Sequence, residues 1–169
     1  MKNIQLIICA VIFSVTSVHA QDSTNVVSYD FWVGKWNLSW DDGDGKIGKG
    51  TNTIVKILDG KVIQENFEAT EGKFKGLKGR SLTVYNPRRK QWKQTWVDNR
   101  GGYIELTGGI KDNNLTFETS KREKDSLWSQ ARMVFYNITD DSLTWDWEGT
   151  TDSGKNWNLQ WKINYVRAE

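Results

Sequence analysis

The sequence predicts an all-β fold, an antiparallel up-and-down β-barrel of about ten strands, and three observations carry that prediction. From Phe31 to the C-terminus apolar and polar residues alternate with period two, the spacing of a half-buried strand. Turn-forming pairs such as Asp59-Gly60 and Asn86-Pro87 interrupt the alternation at short intervals. No segment carries the periodicity of an amphipathic helix. Consecutive hairpins make a meander, and closing the meander into a barrel removes its free edges. A two-layer sandwich has the same strand spacing and stays open as the alternative.

The elements follow in order. Residues 21–27 are polar and read as a short mobile lead, and residues 28–169 form one barrel domain. Trp36, Leu38 and Trp40 alternate with Asn37 and Ser39 before a loop at Asp41–Gly45. Asp42-Gly43-Asp44-Gly45 has the look of a calcium loop, but Thr53 stands where an EF-hand counted from Asp42 needs its bidentate Glu, so it is read as a turn. Thr51–Leu58 is rich in β-branched residues and ends at the two-residue hairpin signal Asp59-Gly60. Lys61–Ala69 returns with Ile63, Glu65 and Phe67 on one face, and Glu71-Gly72 turns the chain into Phe74–Tyr85. Strands are then expected at Trp92–Asp98, Tyr103–Gly109, Leu115–Thr119, Trp128–Ile138 and Leu143–Gly149, with Lys121–Ser126 as a charged loop. In the last strand Trp157, Leu159, Trp161, Ile163 and Tyr165 alternate with Asn158, Gln160, Lys162 and Asn164.

Residues 1–20 pair a basic start with an apolar run from Leu6 to Phe13 and small residues at Val18 and Ala20, the pattern of a cleaved signal peptide. The run is too short to span a bilayer as a helix, so a secreted or periplasmic protein without a membrane span is expected. Cleavage after Ala20 would remove both Cys9 and His19, the chain's single Cys and single His. The remainder could form no disulfide, no Ser-His-Asp triad, no His- or Cys-based zinc site and no His- or thiolate-ligated haem. No metal or cofactor is therefore expected. Lys2 is the only charged residue removed, which leaves 22 basic residues against 21 acidic ones. Arg88-Arg89-Lys90 follows Asn86-Pro87 and reads as solvated turn charge, so no nucleic-acid partner is expected. Asn37, Asn114 and Asn137 head N-x-Ser/Thr sequons, which matter only in a host that glycosylates.

Asp30-Phe31-Trp32-Val33-Gly34-Lys35-Trp36 sets a Gly-x-Trp at the start of the first strand. This opening resembles that of lipocalin-like and fatty-acid-binding-protein-like barrels, the calycin group, in which that Trp closes one end. More of the chain is similar to a bacterial family of exported lipocalin-like proteins of unknown function. The similar stretches are Ile57–Gly60, Ser81–Tyr85, Gln91–Asp98, Trp147-Glu148 and Asp152–Trp157. The resemblance implies a β-barrel with an internal cavity and carries no activity, so no catalytic residue is taken over from it. Nitrobindin-like barrels, a neighbouring group, bind haem through a His that the mature chain lacks.

Strand parity selects the candidate interior. With Trp36, Leu38 and Trp40 inward, Glu65 goes inward beside Ile63 and Phe67, and Trp92, Gln94, Trp96 and Asp98 share the inner face. Trp145 and Trp147 point in with Leu143, which leaves Asp146 and Glu148 outside. The Trp128–Ile138 strand has two readings, since Arg132 shares a face with Val134 and Tyr136 while Met133 shares one with Phe135. A carboxylate in an apolar barrel is costly unless paired, so Glu65 should find Arg132, Gln94 or a water. Trp36, Glu65, Gln94, Trp96, Asp98, Arg132, Trp147 and Trp161 are the candidate ligand-binding residues, polar anchors among stacking indoles. A structural network in a filled barrel is the competing account of the same residues. Trp32 and Trp128 are the indoles expected to be exposed.

The first functional expectation is non-catalytic binding of a small apolar or aromatic molecule in the interior, by a monomer or weak homodimer. The second is a cofactor-independent isomerase, cyclase or hydratase, with Glu65 or Asp98 as general acid or base and Arg132 stabilising negative charge. The third is extracellular carbohydrate binding on exposed Trp.

Overall fold

Among the described residues, eleven antiparallel strands follow a single 3-10 turn at Asp30–Trp32. The structure is a computed structural model that describes residues 28–111 and 113–169, and the expected signal peptide and mobile lead lie outside the described residues. The strands are β1 (Gly34–Gly43), β2 (Lys46–Ile57), β3 (Val62–Glu71), β4 (Lys78–Asn86), β5 (Gln91–Asp98), β6 (Tyr103–Lys111), β7 (Asn114–Glu118), β8 (Arg122–Lys124), β9 (Leu127–Tyr136), β10 (Ser142–Thr150) and β11 (Asn158–Arg167). Neighbours in sequence pair from β1 to β7, β7 pairs with β9, and β9 pairs with β10. Because β10 pairs with β11 and β11 with β1, the ring closes on itself. Ten strands make the wall, and β8 pairs only with the start of β9 outside it. The fold is a barrel and not a sandwich. Among the described residues no helix is long and apolar enough to cross a membrane.

Three local expectations are corrected. The Asp59-Gly60 turn is wider than a two-residue hairpin, since Ile57 pairs with Val62 and the backbone takes positive φ at Leu58, Asp59 and Gly60. The strand expected from Phe74 begins only at Lys78, because Gly72 and Gly76 turn the chain in the left-handed region. Phe74 instead lies against Trp161, with ring centroids 4.8 Å apart. The charged loop Lys121–Ser126 contains β8, which returns into β9 through Asp125-Ser126.

The two ends of the barrel differ. At the end where β1 begins, the 3-10 turn folds beneath the wall and Tyr29 and Trp32 are almost wholly buried. Tyr29 packs on Phe117 at 4.5 Å and donates its hydroxyl to the Thr116 carbonyl at 2.8 Å. Trp36 donates its indole N–H to the Trp32 carbonyl at 2.8 Å, and the Arg167 guanidinium lies 3.8 Å over its ring. Trp32 was expected to be exposed and is only 1% accessible, because the turn rotates it under the strands instead of leaving it on an extended lead. At the opposite end, beside the β3–β4 and β5–β6 turns, the wall is incomplete. The β6–β7 ladder starts at Thr107 paired with Glu118, so Tyr103–Leu106 pair with β5 but with nothing on the β7 side.

Candidate interior binding site

Alternation along β3 decides the site. Ile63, Glu65, Phe67 and Ala69 are all buried and all face the interior, so the sheet carries a carboxyl group into an apolar core. The register sets Glu65 directly beside Ser81 of β4 and Ile54 of β2. Asn52 donates its amide nitrogen to Glu65 Oε1 at 2.7 Å, and the Ser81 hydroxyl donates to Oε2 at 2.7 Å. Gln94 donates to Ser81 Oγ and to Thr83 Oγ1 at 3.3 and 3.0 Å, and Asn52 also reaches the Tyr165 hydroxyl at 3.3 Å. Five strands thus contribute to one buried polar belt, and no Lys or Arg belongs to it.

Burial pushes the Glu65 carboxyl up to about 7, against the pull of the Ser81 and Asn52 hydrogen bonds and the charge of Arg80. Arg80 itself lies exposed, on the outer face of β4. Burial, and secondarily the Glu65 charge, raises the Tyr165 phenol far above its ordinary value, so it stays protonated. Glu65 is thus a carboxyl group that changes charge near neutrality inside the barrel.

Glu65 borders a cavity of about 180 Å³. Towards the closed end Trp32 and Tyr165 bound it, and Phe67, Trp96, Trp145, Trp147 and Trp161 form much of its wall. Trp161 is the hub of the aromatic packing, edge-on to Trp145 and Phe67 at centroid distances of 6.0 Å. Trp96 can lie against β4 because Gly79 has no side chain; a Cβ there would stand 2.0 Å from its ring. The indole N–H of Trp96 donates to Asp98 Oδ2 at 3.1 Å, which places a second carboxyl at the rim. Burial works to raise the Asp98 carboxyl, but hydrogen bonds from the Gly102 amide, the Trp96 indole and the Arg100 amide outweigh it and hold the carboxyl below its ordinary value. Asp98 is therefore ionised at neutral pH.

Ile104 and Trp147 also border a second, larger hollow of about 600 Å³. It lies where β6 lacks its partner strand, and its other walls include Thr119, Gln130, Thr150 and Gln160. The apolar chamber is thus separated by two side chains from a polar vestibule at the open end.

Of the residues selected from sequence, Glu65, Trp96, Asp98, Trp147 and Trp161 come together around the cavity. Gln94 is buried one position behind, where it supports Ser81, and Trp36 lies beneath the closed end. Arg132 is elsewhere. On β9 it is Met133 and Phe135 that turn into the core, which sends Arg132 to the outer face, where its Nε donates to Glu148 Oε2 at 2.7 Å and its guanidinium covers Trp157 at 4.0 Å. The expected Arg132 partner of Glu65 is replaced by Asn52 and Ser81. Neither was selected from sequence, although both share inward parity with Ile54 and Thr83. Trp128 is half-buried under the ammonium of Lys121, 4.1 Å from its ring. Compared with known proteins, the chain matches no protein-family model and no curated sequence.

Proposed function

We propose that this is an exported, non-catalytic binding protein that holds one small apolar or aromatic molecule inside its barrel. The observation that carries the reading is the indole-walled cavity of about 180 Å³ with the Glu65 carboxyl group at its base. An engineered apolar cavity of roughly 150 Å³ suffices to bind benzene, so this space suits a one-ring molecule with a short substituent. The aromatic walls offer large apolar contact area and rigid rings, the usual composition of a small-molecule site. Export rests on the signal-like pattern of residues 1–20, and a secreted or periplasmic location goes with it.

The alternatives lose support from specific placements. The catalytic reading needed Arg132 to stabilise developing charge in the interior, and Arg132 lies outside against Glu148. The carbohydrate reading needed an exposed indole platform, and Trp32 is buried while Trp128 lies under Lys121. The test is native mass spectrometry of the protein purified without denaturation. A co-purifying small molecule, or saturable quenching of Trp fluorescence by one-ring aromatics at one per chain, is expected. An empty protein that none of them quenches would overturn the reading.

A further inference from the structure

We propose that the interior ligand is an organic ammonium ion, a protonated or quaternary amine on a compact apolar body, with its charge set between the indole faces and Glu65. The proposal rests on the reading of the barrel as a binding protein and specifies the charge of what it binds.

The sign of the charged groups is the first argument. Glu65 and Asp98 border the cavity, and among the described residues no Lys or Arg does. A buried carboxylate without a counter-charge is costly, and a bound cation would remove that cost. Behind Glu65 the amide oxygens of Asn52 and Gln94 accept no hydrogen bond, which adds two electron-rich atoms on the same side.

The second argument is the walls. An indole face carries negative quadrupole and attracts ammonium groups, most strongly where water is excluded. This chain already uses that contact outside the cavity: Lys121 lies over Trp128, Arg132 over Trp157 and Arg167 over Trp36. The cavity indoles Trp96, Trp145, Trp147 and Trp161 have no such cation among the described residues. A ligand cation would stand where the outer indoles have a side chain.

One observation points the other way. The indole N–H of Trp161 is buried without an acceptor, which favours an oxygen on the ligand, while that of Trp32 is directed at the Tyr165 hydroxyl. An anionic oxygen taking that N–H would stand among two carboxyl groups, Glu65 and Asp98, and an ammonium gains from Glu65 a charge-assisted contact roughly twice as strong as a neutral one.

Protonation supplies a second readout. Glu65 faces neutral Asn52, Ser81 and Tyr165, with Arg80 across the sheet on the outside and ionised Asp98 at the rim beside Arg100. A cation binds the ionised form of Glu65, so affinity rises with pH through the region of about 7 where burial has placed its titration.

The experiment compares 2-phenylethylammonium, 2-phenylethanol and phenylacetate, which share a ring and are similar in size but differ in charge. The readout is Trp fluorescence and calorimetry on the purified chain at pH 8. The ammonium is expected to bind at least tenfold tighter than the alcohol, with phenylacetate the weakest. The Glu65→Gln variant is expected to abolish the ammonium preference, bringing the affinities for the ammonium and the alcohol to within about twofold of each other. Should that variant not fold, wild-type affinity for the ammonium at pH 8 must still exceed that at pH 5.5 by at least fivefold. Equal or tighter binding of the alcohol overturns the ammonium proposal while the binding reading survives. If none of the three probes binds, the ammonium proposal falls, and native mass spectrometry separately decides whether the barrel binds anything.

Discussion

Glu65 sets the energetics at the scale of single residues. Its folded-state pKa of about 7 lies above the ordinary value of 4.5, so folding takes up a proton between those two pH values. The stability this group contributes is fully present below about pH 4.5 and is lost as pH rises through about 7. Glu65→Gln removes the titration while keeping a group that can pair with Ser81. Denaturant titrations should show the variant gaining on wild type as pH rises from 5 to 8.5, by up to about 3 kcal/mol. A constant difference across that range would mean that the carboxyl group is not desolvated as described. The belt around it explains how a charge-capable residue is tolerated at all, because Asn52 and Ser81 donate to both oxygens of the carboxylate, and the Ser81 hydroxyl can turn to accept when the acid is protonated.

Among elements, the 3-10 turn at Asp30–Trp32 has the largest effect for its length. It stops the closed end with Trp32 and carries the carbonyl that accepts the Trp36 indole N–H. Trp32 also bounds the interior cavity, so the fold and the candidate site share one side chain. Trp32→Ala is expected to cost about 3–5 kcal/mol, the range for deleting a fully buried large aromatic. Calorimetry would read it as a fall in Tm. A near-neutral result would show that the end closes without the plug. At the open end the β3–β4 turn places Phe74 against Trp161 in the same way, but only half-buried, as suits an element next to an opening.

Closure is the property of the whole molecule. β1 meets β11 through pairs such as Trp36 with Arg167, which joins opposite ends of the described chain. Such a long-range ladder forms only after a large loop-closure cost, and folding of all-β topologies of this kind falls in the millisecond-to-second range. Removing β11 would take away one partner strand from both β1 and β10, delete Trp161 and uncover the Phe67 and Trp145 rings that pack on it. A chain ending before Asn158 is therefore expected to lose its cooperative thermal transition by circular dichroism. Retention of a sharp transition would show that the remaining strands reclose.

The sequence by itself determined the all-β class, most of the strand succession and the inward parity of Glu65, Trp96, Trp147 and Trp161, because a two-residue repeat is a local property of the chain, whereas closure into a barrel was decided by the pairing of β11 with β1. It also determined the scarcity of Cys and His, one of each in the whole chain, which is a matter of composition. Which way Arg132 points depended on which of two equally amphipathic faces of β9 packs best, and Met133 and Phe135 won through contacts with distant strands. Trp32 misled because its burial comes from a short turn outside the alternating pattern. The partners of Glu65 and the open seam beside β6 were settled only by the register between strands. Register is fixed by the closed sheet as a whole, and no single segment encodes it.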